Sequence, residues 1–292
     1  MLFVRPDFYE DFACLASRCR HSCCIGWEID IDEQTLSHWQ YYGGAFWEKL
    51  RGSLSLTPTP HFVLDEKRRC PLLRPDGLCE LILQAGEDSL CDICASHPRF
   101  YNESEGRIEA GLGLCCEEAA RLLLERTGPL RLVAEDDGEP DFADETLFLV
   151  RDEVFTALAE NGLSFAERTE KALRLLNTGL RSLSNAESAD FLLTLERMDE
   201  DWTRLLQRLR ELPPSAEEIP AEPYARLCAY FVYRHLLAGG EDALAPRLRF
   251  CVFACRLLHT LARLTPLAEA LRLFSAEIEY SDENVEKLLA WL

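Results

Sequence analysis

The sequence predicts a mainly α-helical protein, in which an irregular, cysteine-rich region at residues 1–133 precedes an α-helical domain at residues 134–292. Two observations predict this division. Ten of the 13 cysteines lie in the first 116 residues. After residue 145, apolar residues recur at the spacing of one helix face through most of the chain.

The first 116 residues predict short elements joined by loops. Asp32–Arg51 has the pattern of an amphipathic helix, although a pair of glycines weakens its middle. Two closely spaced prolines make Ser55–Pro60 a loop, and Arg74–Gly77 has the composition of a turn. The only strands predicted are minor hairpins near Phe62–Leu64 and Arg107–Leu112.

A further helix is predicted to begin at Glu117 and to stop near Gly128. The acidic segment Ala134–Glu145 follows it and is the predicted domain boundary. After this segment the predicted helices are Glu145–Asn161, Phe165–Ser182, Ala186–Glu211, Ala221–Leu237, Ala243–Leu264, Pro266–Phe274 and Asp282–Trp291.

Composition limits the classes of function. No apolar run approaches the roughly 20 residues of a membrane-spanning helix, and the N-terminus lacks the pattern of a secretory signal, so we expect a cytoplasmic protein without a membrane partner. The net charge of −20 argues against nucleic acid, because a nucleic-acid binder needs a basic footprint. A cationic partner or a lysine-bearing protein substrate suits this charge, although acidity also serves solubility alone.

The cysteines predict a metal centre. Disulfides are rare in a reducing cytosol, so thiols concentrated in one region are most simply metal ligands. Only Cys91 and Cys94 have the knuckle spacing of structural zinc, and the other spacings are irregular. We therefore favour an iron–sulfur centre over zinc, which remains the alternative. Cys228, Cys251 and Cys255 lie on apolar helices and are predicted to be core residues.

Four motifs carry a resemblance to a known family. They are Cys14…Cys19…Cys23-Cys24…Trp27, then CPLL…GLC from Cys70 to Cys79, then CASHPRF from Cys94, and GLCCEEAARLLLE around Cys116. Together they resemble the flagellin lysine-N-methylase family, which belongs with a broader group of zinc- or iron-chelating cysteine proteins. Weaker similarity extends to Tyr230–Leu237 and Ala276–Leu289.

The resemblance implies a set of metal ligands and an activity. The family's cysteines fall on Cys94 and Cys116, whereas Cys91 and Cys115 occupy positions where the family has other residues. The candidate ligands are therefore Cys14, Cys19, Cys23, Cys24, Cys70, Cys79, Cys94 and Cys116. The implied activity is the transfer of methyl groups from S-adenosylmethionine to lysine side chains of a protein, with flagellin as the candidate substrate, by an enzyme with a [4Fe–4S] cluster.

The residues themselves leave other functions open. The chain shows no strand, Gly-rich turn and helix of a Rossmann-type cofactor site; Gly111 and Gly113 are interpreted as close-approach backbone at the metal centre. The alternatives are a cluster enzyme of other chemistry, an electron carrier, and a non-enzymatic zinc- or iron-chelating module. Carboxylates near the motifs are candidate proton acceptors, although a charged surface is the simpler interpretation: Glu117, Glu118, Glu277, Glu279, Asp282 and Glu283.

Overall fold

A computed structural model describes residues 1–104, 106–136 and 145–292 of the chain. These residues form six strands: β1 (Leu2–Pro6), β2 (Leu54–Ser55), β3 (His61–Phe62), β4 (Arg99–Ser104), β5 (Arg107–Leu112) and β6 (Leu132–Asp136). They also form the helices α1 (Glu33–Gln40), α2 (Ala45–Gly52), α3 (Glu80–Ala85), α4 (Asp92–Ser96), α5 (Glu117–Glu125), α6 (Glu145–Ala159), α7 (Phe165–Leu175), α8 (Asn185–Leu192), α9 (Glu200–Glu211), α10 (Ala221–His235), α11 (Leu244–Leu261), α12 (Leu267–Phe274) and α13 (Asp282–Trp291).

The mainly helical class is confirmed, and most predicted helices appear close to their expected ends. Local signals account for several of these ends. Ser164 and Ser184 each form a capping box with the glutamate three residues later, which begins α7 and α8. The predicted helix over Asp32–Arg51 is two helices, because the chain turns at Gly44 with a φ of 105° that favours glycine.

The predicted helix Ala186–Glu211 is also two helices, and here the reason is tertiary. The carboxylate of Glu277 accepts hydrogen bonds of 2.8 Å from the backbone amides of Met198 and Asp199. Asp199 then accepts a bond from the amide of Asp201 and caps α9. Glu277, which lies far away in the sequence, therefore stabilises the non-helical chain between α8 and α9.

The expectation of only minor hairpins was wrong. A four-stranded mixed sheet has the order β4-β5-β1-β6, in which β1 pairs parallel to β5 and antiparallel to β6. The register pairs Phe3 with Ile108 and with Glu135. Pairing between segments more than 100 residues apart leaves no local pattern, so the sequence could not show it. The short hairpin β2-β3 matches the expectation.

The chain divides into two compact units. The helical unit contains Met1–Phe12, Tyr101–Cys115 and Ala119–Leu292, and the cysteine unit contains Ala13–Phe100 and Cys116–Glu118. The predicted boundary in the acidic segment stays a prediction, because residues 137–144 of that segment lie outside the described residues.

The core of the helical unit is aromatic and lies around α10 and α11. Phe231, Phe250 and Phe274 are fully buried and pack edge-on or tilted against one another. Two tyrosines of α10 bind the backbone of the sheet: Tyr230 donates to the carbonyl of Leu112 at 2.6 Å, and Tyr233 donates to that of Ala110 at 2.9 Å. These bonds hold β5 against the helices.

The core of the cysteine unit is built from both apolar side chains and thiols. Trp39 is fully buried, donates from Nε1 to the carbonyl of Ser89 at 3.0 Å, and packs against Phe62. Cys70 and Cys91 belong to the same buried cluster, and Cys24, Cys79 and Cys94 pack on its edge. None of the described helices is long and apolar enough to cross a membrane.

Candidate functional site

Short backbone contacts bring several cysteine motifs together within the cysteine unit. The amide of Cys70 donates to the carbonyl of Cys24 at 2.8 Å, and Ile25 forms a bridge with Arg69. The turn predicted at Arg74–Gly77 closes through a 3.0 Å bond from Gly77 to Arg74, and Leu73 bridges to Cys79 beyond it. The turn brings Cys70 and Cys79 towards each other, as predicted, and the backbone bond to Cys70 brings Cys24 into the same region.

Two thiol pairs belong to this region. The side chains of Cys23 and Cys24 are hydrogen-bonded to each other, and so are those of Cys91 and Cys94. The hydrogen bond raises the pKa of Cys23 and lowers that of Cys24 to about 7. In the second pair the bond raises the pKa of Cys94 and lowers that of Cys91. In each pair the hydrogen bond therefore favours the thiolate of one partner, and the thiolate is the form of cysteine that binds metals.

Electrostatic interactions link these pairs to other thiols. The pKa of Cys94 is also raised by the proximity of Cys24 and Cys70. Burial is the main cause of the raised pKa of Cys70, about 12, and of Cys79, with Cys24 contributing to both. On the other side of the Cys23–Cys24 pair, Cys14 and Cys116 add to the raised pKa of Cys23.

We call the eight interacting residues the thiol network: Cys14, Cys23, Cys24, Cys70, Cys79, Cys91, Cys94 and Cys116. It differs from the sequence-based set by one exchange. Cys91, which the resemblance had excluded, is in contact with Cys94, and the CxxC spacing of the two was the signal for it. Cys19 instead donates to the carbonyl of His21 at 3.3 Å and lies 3.9 Å from Glu117 Oε2. Its predicted role as a ligand stays a prediction.

The adjacent cysteines 115 and 116 face different surroundings, as expected for neighbours in sequence. Cys116 interacts with Cys23 in the cysteine unit. Cys115 belongs to the helical unit, where its thiol contacts the hydroxyl of Tyr280. Gly113 lies on the same tyrosine: a Cβ at this position would be 1.9 Å from Tyr280 Oη. The close approach at Gly113 is therefore to Tyr280, which corrects the interpretation of this glycine as backbone of a metal centre.

Two rings of the motifs lie beside the thiol network. Trp27 donates from Nε1 to the carbonyl of Cys23 at 2.7 Å, and its ring centroid is 5.9 Å from that of His97. Burial lowers the pKa of His97 to about 4, so its imidazole is neutral at pH 7. The tryptophan therefore lies against the backbone of Cys23, a member of the network.

The candidate carboxylates have different environments. Asp282 and Glu283 are exposed at the start of α13, but Glu118, Glu277 and Glu279 are buried, so the expectation of a charged surface was wrong for these three. Glu117 binds the loop after Cys19: its Oε2 accepts from the amide of Arg20 at 3.0 Å. Burial opposes ionisation of Glu117, but the amide and guanidinium of Arg20 lower its pKa.

The donors of the thiol network are of the type that iron–sulfur clusters and zinc prefer. Within the described ranges, however, no three or more His, Cys, Asp or Glu side chains are grouped so that they could hold a metal ion. Thiols must lose their protons before they bind a metal, and the hydrogen bonds within the two pairs belong to the protonated state. The network therefore fits the chemistry of a soft metal centre by donor type.

The chain is similar to proteins of Salmonella. It is 24% identical to the lysine-N-methylases of Salmonella choleraesuis and Salmonella typhimurium over 188 residues, which is 59% of this chain and 45% of each relative. It is 25% identical over 135 residues to the flagellar biosynthetic protein FliU of Salmonella muenchen, covering 41% of this chain and 76% of that protein. The chain thus spans about half the length of the two methylases. No protein-family model and no solved structure matches it.

Proposed function

We propose that this protein is a protein-lysine N-methyltransferase that uses S-adenosylmethionine and holds a [4Fe–4S] cluster in its cysteine unit. The observation that carries the proposal is the similarity to two lysine-N-methylases over 188 residues. The thiol network supports a metal centre by donor type, because five of its cysteines from well-separated parts of the chain belong to or pack against one buried cluster: Cys24, Cys70, Cys79, Cys91 and Cys94.

The proposed substrate is a protein with exposed lysines, and flagellin is the first candidate. One relative is named a flagellar biosynthetic protein, which supports this choice. The charge of the chain is also suitable, since 51 acidic side chains against 31 basic ones attract a lysine-rich surface.

The cluster would be held by four of the eight cysteines of the thiol network. When bound, a cluster of this kind supplies iron sites that either cross-link the chain or hold a cofactor at an open position. Cys24 and Cys91 have the lowered pKa values within their pairs and are the first thiols to offer a thiolate. Trp27, at the carbonyl of Cys23, would restrict water at the centre.

A zinc-chelating module without catalytic activity is the second candidate. The contact between Cys91 and Cys94, the one pair with the spacing of a zinc knuckle, favours it. In that case the metal would stabilise the fold of the cysteine unit only, as structural zinc does.

One experiment separates the two candidates. The protein is purified without oxygen, its iron, sulfide and zinc are measured, and flagellin is offered with S-adenosylmethionine labelled in the methyl group. The methyltransferase proposal predicts iron with matching sulfide and label on flagellin lysines. Stoichiometric zinc without any transfer of label to flagellin or to a cell lysate would favour the chelating module.

A further inference from the structure

A cavity in the helical unit combines an apolar wall with buried charged side chains. It has a volume of about 270 Å³ and lies between the Gly128–Leu130 loop, the end of α6 and the first turns of α10. This is close to the lower limit of about 300 Å³ for ligand pockets. Its apolar wall comes from Leu130 and Phe155, and the room is left by small side chains of α10, Ala225 and Ala229.

The polar groups of the cavity are two buried arginines and one glutamate. Arg168 is 4% exposed, donates to the carbonyl of Leu158 at 3.1 Å, and pairs with Glu222 at 3.1 Å. Arg226 is 5% exposed and donates to backbone carbonyls of Leu123 at 3.2 Å and Gly128 at 3.0 Å. These bonds hold the guanidinium groups in fixed positions at the wall.

The charge of Arg226 lacks a direct counter-charge. No carboxylate of the described residues lies within 4.0 Å of its guanidinium, and burial lowers its pKa despite the more distant Glu222. A buried cation without a paired anion is costly. Its three bonds to carbonyls leave further N–H groups of the guanidinium, which carries five. A carboxylate in the cavity would satisfy both the charge and these donors.

We propose that this cavity binds a small ligand that joins a carboxylate to a flat aromatic ring system. The carboxylate pairs with Arg226, the ring system lies along Phe155 and the alanines of α10, and Glu222 accepts from the hydroxyl or ammonium groups of the ligand. S-adenosylmethionine has this chemistry, and its assignment as the natural ligand rests on the proposed function. The site needs no Gly-rich loop, which agrees with the absence of a Rossmann pattern from the sequence.

The test is calorimetric binding of S-adenosylhomocysteine to the full chain and three variants. Ala229→Leu fills the cavity without changing charge, and Arg226→Met removes the cation. Ala221→Leu adds the same side chain on the same helix at a residue that does not line the cavity, and it is the matched control. We expect the affinity to fall at least about 10-fold in the first two variants and to stay unchanged in the control. Thermal melting of each variant identifies any that fails to fold.

Adenosine, which has no carboxylate, separates the two interactions. Its binding should be lost in Ala229→Leu and retained in Arg226→Met. Two results would overturn the site while leaving the methyltransferase proposal intact. One is that both Ala229→Leu and Arg226→Met bind S-adenosylhomocysteine with wild-type affinity. The other is that the wild-type chain transfers methyl groups without binding this probe. Cavity-dependent binding in a chain that transfers no methyl group would sustain the site and remove the proposed function.

Discussion

Glu279 Oε1 lies 2.6 Å from His235 Nε2, and both side chains are buried in the helical unit. Glu279 ends the π-helical turn Ser275–Glu279, and His235 ends α10. The same carboxylate oxygen lies 3.3 Å from Arg234 Nη1. Turns of this kind are wider than an α-helix and often position a specific side chain. Here the turn places a carboxylate against two basic groups.

This contact makes stability depend on acidity. Burial opposes ionisation of Glu279, but Arg234 and His235 hold its pKa at about 2, against 4.5 for an ordinary glutamate. Since the folded pKa is the lower one, the stabilisation is complete above pH 4.5 and is lost as the pH falls towards 2. Glu279→Gln should lower the free energy of unfolding by about 3 kcal/mol at pH 7 and by much less near pH 3.

Denaturant unfolding at both pH values measures this difference. Glu218→Gln, which changes an exposed glutamate in the same way, is the control and should have little effect at either pH. A Glu279→Gln deficit that is the same at pH 7 and pH 3 would contradict the charge-based explanation.

Gly113 and Tyr280 should be energetically coupled. A Cβ on Gly113 would be 1.9 Å from Tyr280 Oη and 2.8 Å from its Cζ, so Gly113→Ala must displace the ring from beneath Arg234. We expect a loss of about 1–3 kcal/mol for Gly113→Ala. The loss should be smaller when Tyr280 is already Ala, as a double-mutant cycle would measure. Additive losses would show that the destabilisation by Gly113→Ala does not arise from its contact with Tyr280.

Glu277 should be essential to the break between α8 and α9. Glu277→Ala removes the acceptor of two amide groups, of Met198 and Asp199. Because an unsatisfied buried amide costs about 1–3 kcal/mol, we expect a loss of about 2–4 kcal/mol in thermal or denaturant unfolding. Glu218→Ala, at an exposed site, should be near neutral. A near-neutral Glu277→Ala would show that water replaces the carboxylate.

Substitutions of Cys115 and Cys116 provide a matched pair of variants that tests the metal centre. Cys116 interacts with the thiol network, whereas Cys115 contacts Tyr280. If the network holds a metal, Cys116→Ser should lower both the metal content per chain and the melting temperature, because metal binding stabilises the folded state. Cys115→Ser should keep the metal. Elemental analysis of the two variants side by side decides this, and the reverse result would exclude Cys116 as a ligand.

The three cysteines of the second half should be dispensable for metal. Cys228, Cys251 and Cys255 are fully buried in the helical core, which confirms their predicted location. Burial is the first cause of the raised pKa of Cys251 and Cys255, so both remain neutral thiols. Each change to Ala should cost about 1–2 kcal/mol and leave the metal content unchanged. Loss of metal from any of the three would place a second centre in this unit.

The metal content of Cys91→Ser tests whether the family resemblance identifies the ligand correctly in the motif that contains Cys91 and Cys94. In the resemblance, the family's cysteine in this motif corresponds to Cys94 and not to Cys91. In the structure, the thiols of Cys91 and Cys94 are in contact. Cys91 directly precedes α4, and one helical turn brings it alongside Cys94. Two cysteines at this spacing meet whether or not relatives have both. The contact does not decide which of the two thiols binds a metal, so the exclusion of Cys91 stays a prediction that the metal content of Cys91→Ser tests.

The sequence by itself determined the helices, the turn between Cys70 and Cys79 and the concentration of thiols in one half of the chain, because capping residues, glycines, prolines and apolar spacing act over a few residues. Only the tertiary structure decided which distant groups meet: β1 with β5, Glu277 with the amides of 198 and 199, and Arg226 with the cavity. These contacts join segments that are separated by tens of residues or more. Their pairing depends on how whole elements pack, and no local pattern encodes it.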